Sequence, residues 1–353
     1  MRDRIESLQA IRGLAVFVVV LYHCHIVFSG GFVGVDVFFV LSGFVICRSS
    51  LVNLSEDGSN LVFLRTFFRK RILRLIPGLC ATTLGTALVS MLVFSPFGEL
   101  QQILISALSS VLFLANARLF LLNDYTSLTS DPFRHMWSLG VEEQFYLSFP
   151  LLILTVLWIA GKSRFKITLL AFVVGGSVIS FGLSVMLAEG IRLTPLPQRF
   201  AFYSPVTRAW QFGIGIVIAL LEVAVRDKVV RRGAMATCLT VCGLLLILYS
   251  SITADALRKY PGFNGLTPVL GASALIVASL VSHPYQVSVL KPFVLLGDIS
   301  YSLYLVHWPV LVILQRAFSD HLLVRVVSIP TALALAVLQY NLVEKRFLIG
   351  RQE

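Results

Sequence analysis

Residues 8–44 read LQAIRGLAVFVVVLYHCHIVFSGGFVGVDVFFVLSGF. Two strongly apolar runs fill this stretch, yet it also holds Arg12, His23, His25 and Asp36. Charge and imidazole are costly in hydrocarbon, so each of these side chains marks a candidate functional position. On a helix turning about 100° per residue, Arg12 and His23 fall about 20° apart around the axis and roughly 16 Å apart along it. One face therefore carries both, and that face should look into protein rather than lipid. His25 lies on a different face.

The rest of the chain continues in the same key. Of its 353 residues 57% are hydrophobic, and the mean hydropathy is +0.86. Several unbroken apolar stretches approach or exceed the ~20 residues that carry a helix across a bilayer. The fold class is an all-α polytopic membrane protein of about ten transmembrane helices, expected as one membrane domain over residues 1–353. The apolar run behind Arg2 and Arg4 contains Arg12 and is followed by bulky residues, so no cleavable signal peptide is expected. The net charge of +11 is spread through loops between spans, as retention of basic residues on the cytoplasmic side requires. Attraction to membrane lipid headgroups is a secondary use of it, and nucleic acid is not an expected partner. Cys24, Cys47, Cys80, Cys238 and Cys242 lie in or beside apolar runs, with no CxxC or Cys/His ligand spacing. Neither disulfides nor a metal site are expected from them.

Candidate spans are 10–28, 31–47, 73–95, 144–160, 167–188, 205–221, 233–251, 266–281, 293–315 and 321–342. A further apolar stretch, 101–121, carries Ser106, Ser109, Ser110, Asn116 and Arg118. If it crossed the membrane, the basic loops 161–166 and 222–232 would face outward, against the rule for basic residues. Ten spans, both termini cytoplasmic and a long non-cytoplasmic segment over about 96–143 satisfy the rule, placing most of the 29 Lys and Arg inside. No internal repeat is visible, which disfavours a transporter built from inverted repeats.

Five constellations carry the chemistry. His23 suits a general base, because imidazole titrates nearest neutrality, and Arg12 suits an anionic group such as a phosphate. A plain structural reading competes: an arginine reaching to the interface and a buried histidine satisfied by a neighbour. In GGFVGVDVFFVLSGFVI (30–46) the glycines allow close helix approach, and Asp36 is placed to pair with Arg12, to orient His23, or simply to favour a helix N-terminus. FLRTFFRKRILRLIPGL (63–79) is sufficiently explained as a topological determinant, though Arg71 and Arg74 share a face that suits a polyanionic ligand. HMWSLGVEEQFYLSFP (135–150) pairs Glu142 with Glu143 at the start of a span, beside His135 and Trp137. The dipole of the helix accounts for one of them; two suggest hydrogen bonding to a polyhydroxylated ligand or a carboxylate partner for a base. SYSLYLVHWPVL (300–311) places Ser300, Tyr301, Ser302, Tyr304 and His307 in a membrane segment, where polar side chains also serve to hold helices together.

Taken in order, LQAIRGLAVFVVVLYH, GGFVGVDVFFVLSGF, FFRKRILRLIPG, WSLGVEEQFYL and SYSLYLVHWP resemble the acyltransferase 3 family of integral membrane acyltransferases. One block alone is weak; five in this order and spacing are specific. The resemblance implies a multi-pass protein of the bacterial inner membrane. It implies transfer of an acyl group, usually acetyl, from cytoplasmic acyl-CoA to a hydroxyl of a glycan or lipid-linked saccharide. Members acting on exopolysaccharide, O-antigen (lipopolysaccharide) or Nod-factor-type glycans are similar to this chain. The family's Arg–ten residues–His motif falls on Arg12 and His23, implying acyl-CoA contact and catalytic base. Its membrane-proximal arginine motif falls on the cluster from Arg69 to Arg74, with Arg71 and Arg74 the best candidates. Its acidic motif falls on Glu142 and Glu143. Acceptor identity is expected in the late spans and in 96–143, and the soluble esterase-like domain that some members append is not expected.

Acyl-CoA, in particular acetyl-CoA, is then the expected donor substrate, with no permanently bound cofactor. Arg12 and the 69–74 cluster would hold its phosphates, and Asp36 or a glutamate would orient His23. His23 would either deprotonate the acceptor hydroxyl or carry the acyl group itself. Two other classes stay open. Ten spans with buried Arg, His and Asp also suit a secondary transporter or exporter of a small organic acid or saccharide. A structural partner in a polysaccharide-export complex needs no His23 at all, and predicts that His23→Ala keeps full function.

Overall fold

The computed structural model describes residues 2–56, 59–122, 131–228, 233–255, 259–281 and 291–349, and every regular element among them is helical. Helix α1 (Arg2–His23) ends at the histidine, and the chain reverses over Cys24 to Val33 into α2 (Gly34–Glu56). Helix α3 (Asn60–Val93) starts at Ser59, whose hydroxyl accepts the Val62 N–H at 3.3 Å and caps the first turn. Its 34 residues extend for about 50 Å, longer than a hydrocarbon core, so the basic first half projects beyond the apolar second half. The stretch 101–121 is broken into α4 (Glu99–Val111) and α5 (Ala115–Leu121), with Phe113 at φ 57° between them. The 13 residues of α4 reach about 20 Å, too short to cross.

Helix α6 (Trp137–Ala188) is a hairpin rather than one rod. Gly161 adopts φ 63° and ψ 175° inside it, a left-handed conformation that glycine takes without a Cβ penalty. Phe145 stacks at 4.1 Å on Phe212 of helix α8 (Pro205–Lys228), while a Cβ on the adjacent Gly213 would meet Ser177. Phe145 and Ser177 are equally distant from Gly161 along the chain yet level on α8, so the two legs run antiparallel. The short α7 (Pro197–Tyr203) joins the second leg to α8. Then follow α9 (Gly233–Thr253), α10 (Leu266–Val281) and α11 (Lys291–Asp298), which continues past Ile299 as α12 (Ser300–Phe318). Helix α13 (Leu322–Gln339) passes through a π-helical turn (Tyr340–Glu344) into α14 (Lys345–Ile349).

Eight helical segments among the described residues have the length and composition to cross a membrane. One of them holds the α6 hairpin. Helix α12, on which the span expected over 293–315 falls, is not one of the eight; Ser300, Ser302, Tyr304 and His307 lie buried among its neighbours, so protein rather than lipid surrounds it. Apolar side chains instead face outward elsewhere: Leu92, Trp158 and Leu323 are 87%, 87% and 72% exposed, as a lipid-facing surface requires and an aqueous one resists. Residues 229–232 of the basic loop 222–232 and residues 123–130 of the 96–143 segment lie outside the described residues.

Backbone contact, more than side-chain bulk, sets two of the crossings. A Cβ on Gly43 of α2 would lie 2.0 Å from the Phe212 carbonyl oxygen, and one on Gly215 of α8 would lie 2.0 Å from that of Val40. Gly13 of α1 and Gly297 of α11 are related in the same reciprocal way, each 1.9 Å from a facing carbonyl oxygen. Without a strong hydrophobic drive between helices in lipid, such close approach supplies dispersion contact. It also draws α1, α2, α8 and α11 tightly together, leaving the polar faces of α1, α2, α3, α6 and α12 around a shared interior space.

Candidate active site

That space is a cavity of about 410 Å³ lined from five helices. Along α2 the lining runs Val35, Phe38, Phe39, Ser42, Val45, Ile46 and Ser49, one helical face extending about 20 Å. Near Ser49 the walls are cationic, with Lys70, Arg71 and Arg74 from α3 and Arg12 from α1. Glu142 is the one carboxylate in the lining, so cations dominate that end. The far end is bounded by Ser138, Leu139 and Tyr304. Arg71 is held before any ligand arrives: its guanidinium stacks 3.7 Å above Phe67 and 4.6 Å from Tyr146, and it donates to the Phe67 carbonyl at 3.3 Å. Its buried Nε has no hydrogen-bond partner among the described residues. Lys70 donates to Asn53 at 2.7 Å, and Arg12 reaches Gln9 at 3.4 Å. Glu142 accepts hydrogen bonds from Ser42 and Tyr146.

Beyond Tyr304 lies a cluster of three histidines. The Tyr304 ring is 5.6 Å from His307 and 5.4 Å from His135, and His307 stacks at 5.1 Å on His23. His23 Nδ1 and His307 Nε2 are 2.9 Å apart. Trp308 packs 4.8 Å from His23 and donates its indole N–H to the Asp131 carbonyl at 2.8 Å. The Tyr304 hydroxyl donates to the His135 carbonyl at 2.7 Å and bonds Ser138, closing the inner end of the cavity. His23 does not itself line the cavity; Tyr304 and then His307 lie along the chain of ring contacts between them.

The candidate residues therefore divide. Arg12, Arg71, Arg74 and Glu142 are brought together on the cavity wall. Arg69 points away from it and is exposed. Glu143 is off the lining, with a buried Oε1 that has no hydrogen-bond partner among the described residues. Neither glutamate touches His23. Asp36 is a correction: it pairs neither with Arg12 nor with His23. It is 1% exposed and accepts from Arg208 at 2.8 Å, Gln211 at 2.5 Å and Tyr260 at 2.5 Å. Its position one turn into α2 aims it at α8, away from α1. The partner of His23 is His307, which sequence spacing gave no means to select, since the two lie at opposite ends of the chain. The available signal was an imidazole within an apolar run at 300–311. Arg208, an arginine inside the 205–221 span, carries the same signal. Among the described residues no group of three or more His, Cys, Asp or Glu is placed to hold a metal ion.

The comparisons with known proteins agree with this architecture. The O-acetyltransferase OatA of Staphylococcus aureus strain NCTC 8325 / PS 47 is 28% identical over 356 residues, covering 96% of this chain and 56% of that protein. OatA of strain COL matches to the same extent. The chain spans a little over half the length of these relatives. No solved structure matches. The model of the acyltransferase 3 family, described as an acyltransferase domain, matches residues 5–340. With nearly every described crossing inside that match, the chain belongs to the acyltransferase 3 family.

Proposed function

We propose that the protein is a membrane O-acyltransferase that moves an acetyl group from cytoplasmic acetyl-CoA to a hydroxyl of a surface or exported glycan. The observation that carries this reading is the cavity itself. One end gathers Arg12, Lys70, Arg71 and Arg74, and the other stops one ring short of the histidine cluster. Such a shape suits a donor with a polyanionic head and an extended thioester arm, the guanidinium groups meeting phosphate oxygens in charge-assisted hydrogen bonds. The relatives named O-acetyltransferase support acetyl as the group moved.

In the direct route, His23 Nε2 takes the proton of the acceptor hydroxyl as its oxygen attacks the thioester carbonyl. The C–S bond breaks, and the departing thiolate recovers that proton from the imidazolium. The Tyr304 side chain, bonded to Ser138 and the His135 carbonyl, stands between the cavity and the histidine cluster and must swing aside for the thioester to approach the cluster. His23 stands at the C-terminal end of α1, so the acceptor approaches from the side opposite the arginines. The test is transfer of label from radiolabelled acetyl-CoA to the membrane glycolipid fraction, wild type against His23→Ala at equal expression. Label that requires His23 supports the reading. Equal label in both removes His23 from the mechanism, and no label across a panel of acceptor fractions overturns the activity.

A further inference from the structure

The proton positions in the histidine cluster can be assigned from its acceptors. Pro309 has no N–H, so the Leu305 carbonyl of α12 loses its usual helical partner. His135 Nε2 lies 3.2 Å from that oxygen and must carry a proton to satisfy it. His307 Nδ1 in turn lies 2.8 Å from the Tyr304 carbonyl and 3.1 Å from that of Leu303. Carbonyl oxygens accept and never donate, so His307 Nδ1 is the protonated nitrogen. A neutral imidazole has one N–H, which leaves Nε2 of His307 as a lone pair. That lone pair faces His23 Nδ1 at 2.9 Å, and a hydrogen bond there requires His23 to carry its proton on Nδ1. The free lone pair of His23 is therefore on Nε2.

We propose that His307 is the positioning residue of the reaction: it fixes His23 in the Nδ1–H tautomer and stabilises the imidazolium formed when Nε2 takes the acceptor's proton. This rests on the acyl-transfer reading above. The relay runs from backbone carbonyl to His307 to His23, and stands where a carboxylate was expected. A neutral orienter has a physical advantage here, because it adds no second permanent charge to a site within the membrane segment. The stacked ring of His307 and the indole of Trp308, itself tied to the Asp131 carbonyl, also limit rotation of His23.

Two substitutions separate positioning from packing. In His307→Gln the side-chain amide oxygen can accept from His23 Nδ1 near the position of the lost Nε2. In His307→Asn the amide is too short to reach His23 but can still donate to the carbonyls of α12. The expected result is a fall in kcat on the order of 100-fold or more for His307→Asn, with KM for acetyl-CoA within about twofold of wild type. His307→Gln should recover kcat to within about tenfold. A second measurement needs no activity and reads the proton position in the wild type itself. Nitrogen-15 NMR of histidine-labelled wild type, assigned with His23→Gln, should place the His23 proton on Nδ1. A His23 proton on Nε2 in wild type, or equal kcat in folded Asn and Gln variants, overturns the proposal. Wild type that shows Nδ1–H on His23 yet transfers no acetyl group upholds the relay and sinks the acyl-transfer reading instead.

Discussion

Asp36 sits 1% exposed among three donors, one of them the equally buried guanidinium of Arg208. Arg208 also donates to the Phe202 carbonyl at 3.0 Å and lies 4.9 Å from the Phe202 ring and 5.4 Å from that of Tyr260. The cluster therefore ties α2 and α8 to the segment preceding α10. Removing one member of a buried pair leaves the other uncompensated, at a cost of about 3–5 kcal/mol. Asp36→Ala should lower thermal stability in detergent by that order, while turnover per folded molecule stays near wild type. Turnover lost at unchanged stability would give Asp36 the chemical role the sequence suggested. At the cavity, each charge-assisted hydrogen bond is worth about 1.5–3 kcal/mol. Arg71→Ala is thus expected to raise KM for acetyl-CoA about ten- to a hundredfold with kcat little changed. Arg69→Ala, on the exposed side of the same helix, should leave KM where it was. Titrating donor against initial rate for both variants checks this pair, and equal effects would make the cluster a field rather than a binding wall. The residue types of this site were legible in the sequence; their pairing was not. The rule that charge in hydrocarbon must find a partner flags Arg12, His23 and Asp36, but it names no partner when that partner is an Arg or His far along the chain.

The helices themselves were more legible, because a crossing segment needs about 20 apolar residues and loops need turn chemistry. The hairpin in α6 shows why. Gly161 opens the basic loop 161–166, so a turn residue and a charge cluster coincide where two apolar runs meet. Crossing geometry was harder to read, since glycines in apolar runs either face lipid or let backbones touch. Gly43 belongs to the second class and Gly175 to the first, with no atom within 4 Å of a Cβ placed on it. Gly43→Ala should separate α2 from α8 at a cost of about 1–3 kcal/mol, as overpacking does. Gly175→Ala should be neutral or stabilise by up to about 1 kcal/mol through helix propensity. Thermal melts of the two variants side by side decide it: equal shifts would mean that the close approach of α2 and α8 is not what holds them.

At the scale of the whole molecule, sidedness joins the fold to the function. The short, interrupted α4 and α5 do not complete a crossing, so the apolar stretch at 101–121 leaves the parity of the chain unchanged. The first α6 leg then carries the chain across to the turn at Gly161, beside Lys162, Arg164 and Lys166. If basic loops are retained inside, that turn and the arginine end of the cavity would share the cytoplasmic face with the N-terminus, and His23 would lie toward the other. Reporter fusions after residue 130 and after residue 164 should accordingly report the non-cytoplasmic and the cytoplasmic side. The reverse pair would invert the spans that follow 101–121 and remove the donor end of the cavity from the acyl-CoA pool. The functional counterpart uses sealed vesicles. Acetyl-CoA does not cross a bilayer unaided, because its phosphates are charged, so externally added label should be used by inside-out vesicles and not by right-side-out ones. Equal use by both orientations, with the seal verified, would mean that the cationic end of the cavity does not face the cytoplasm.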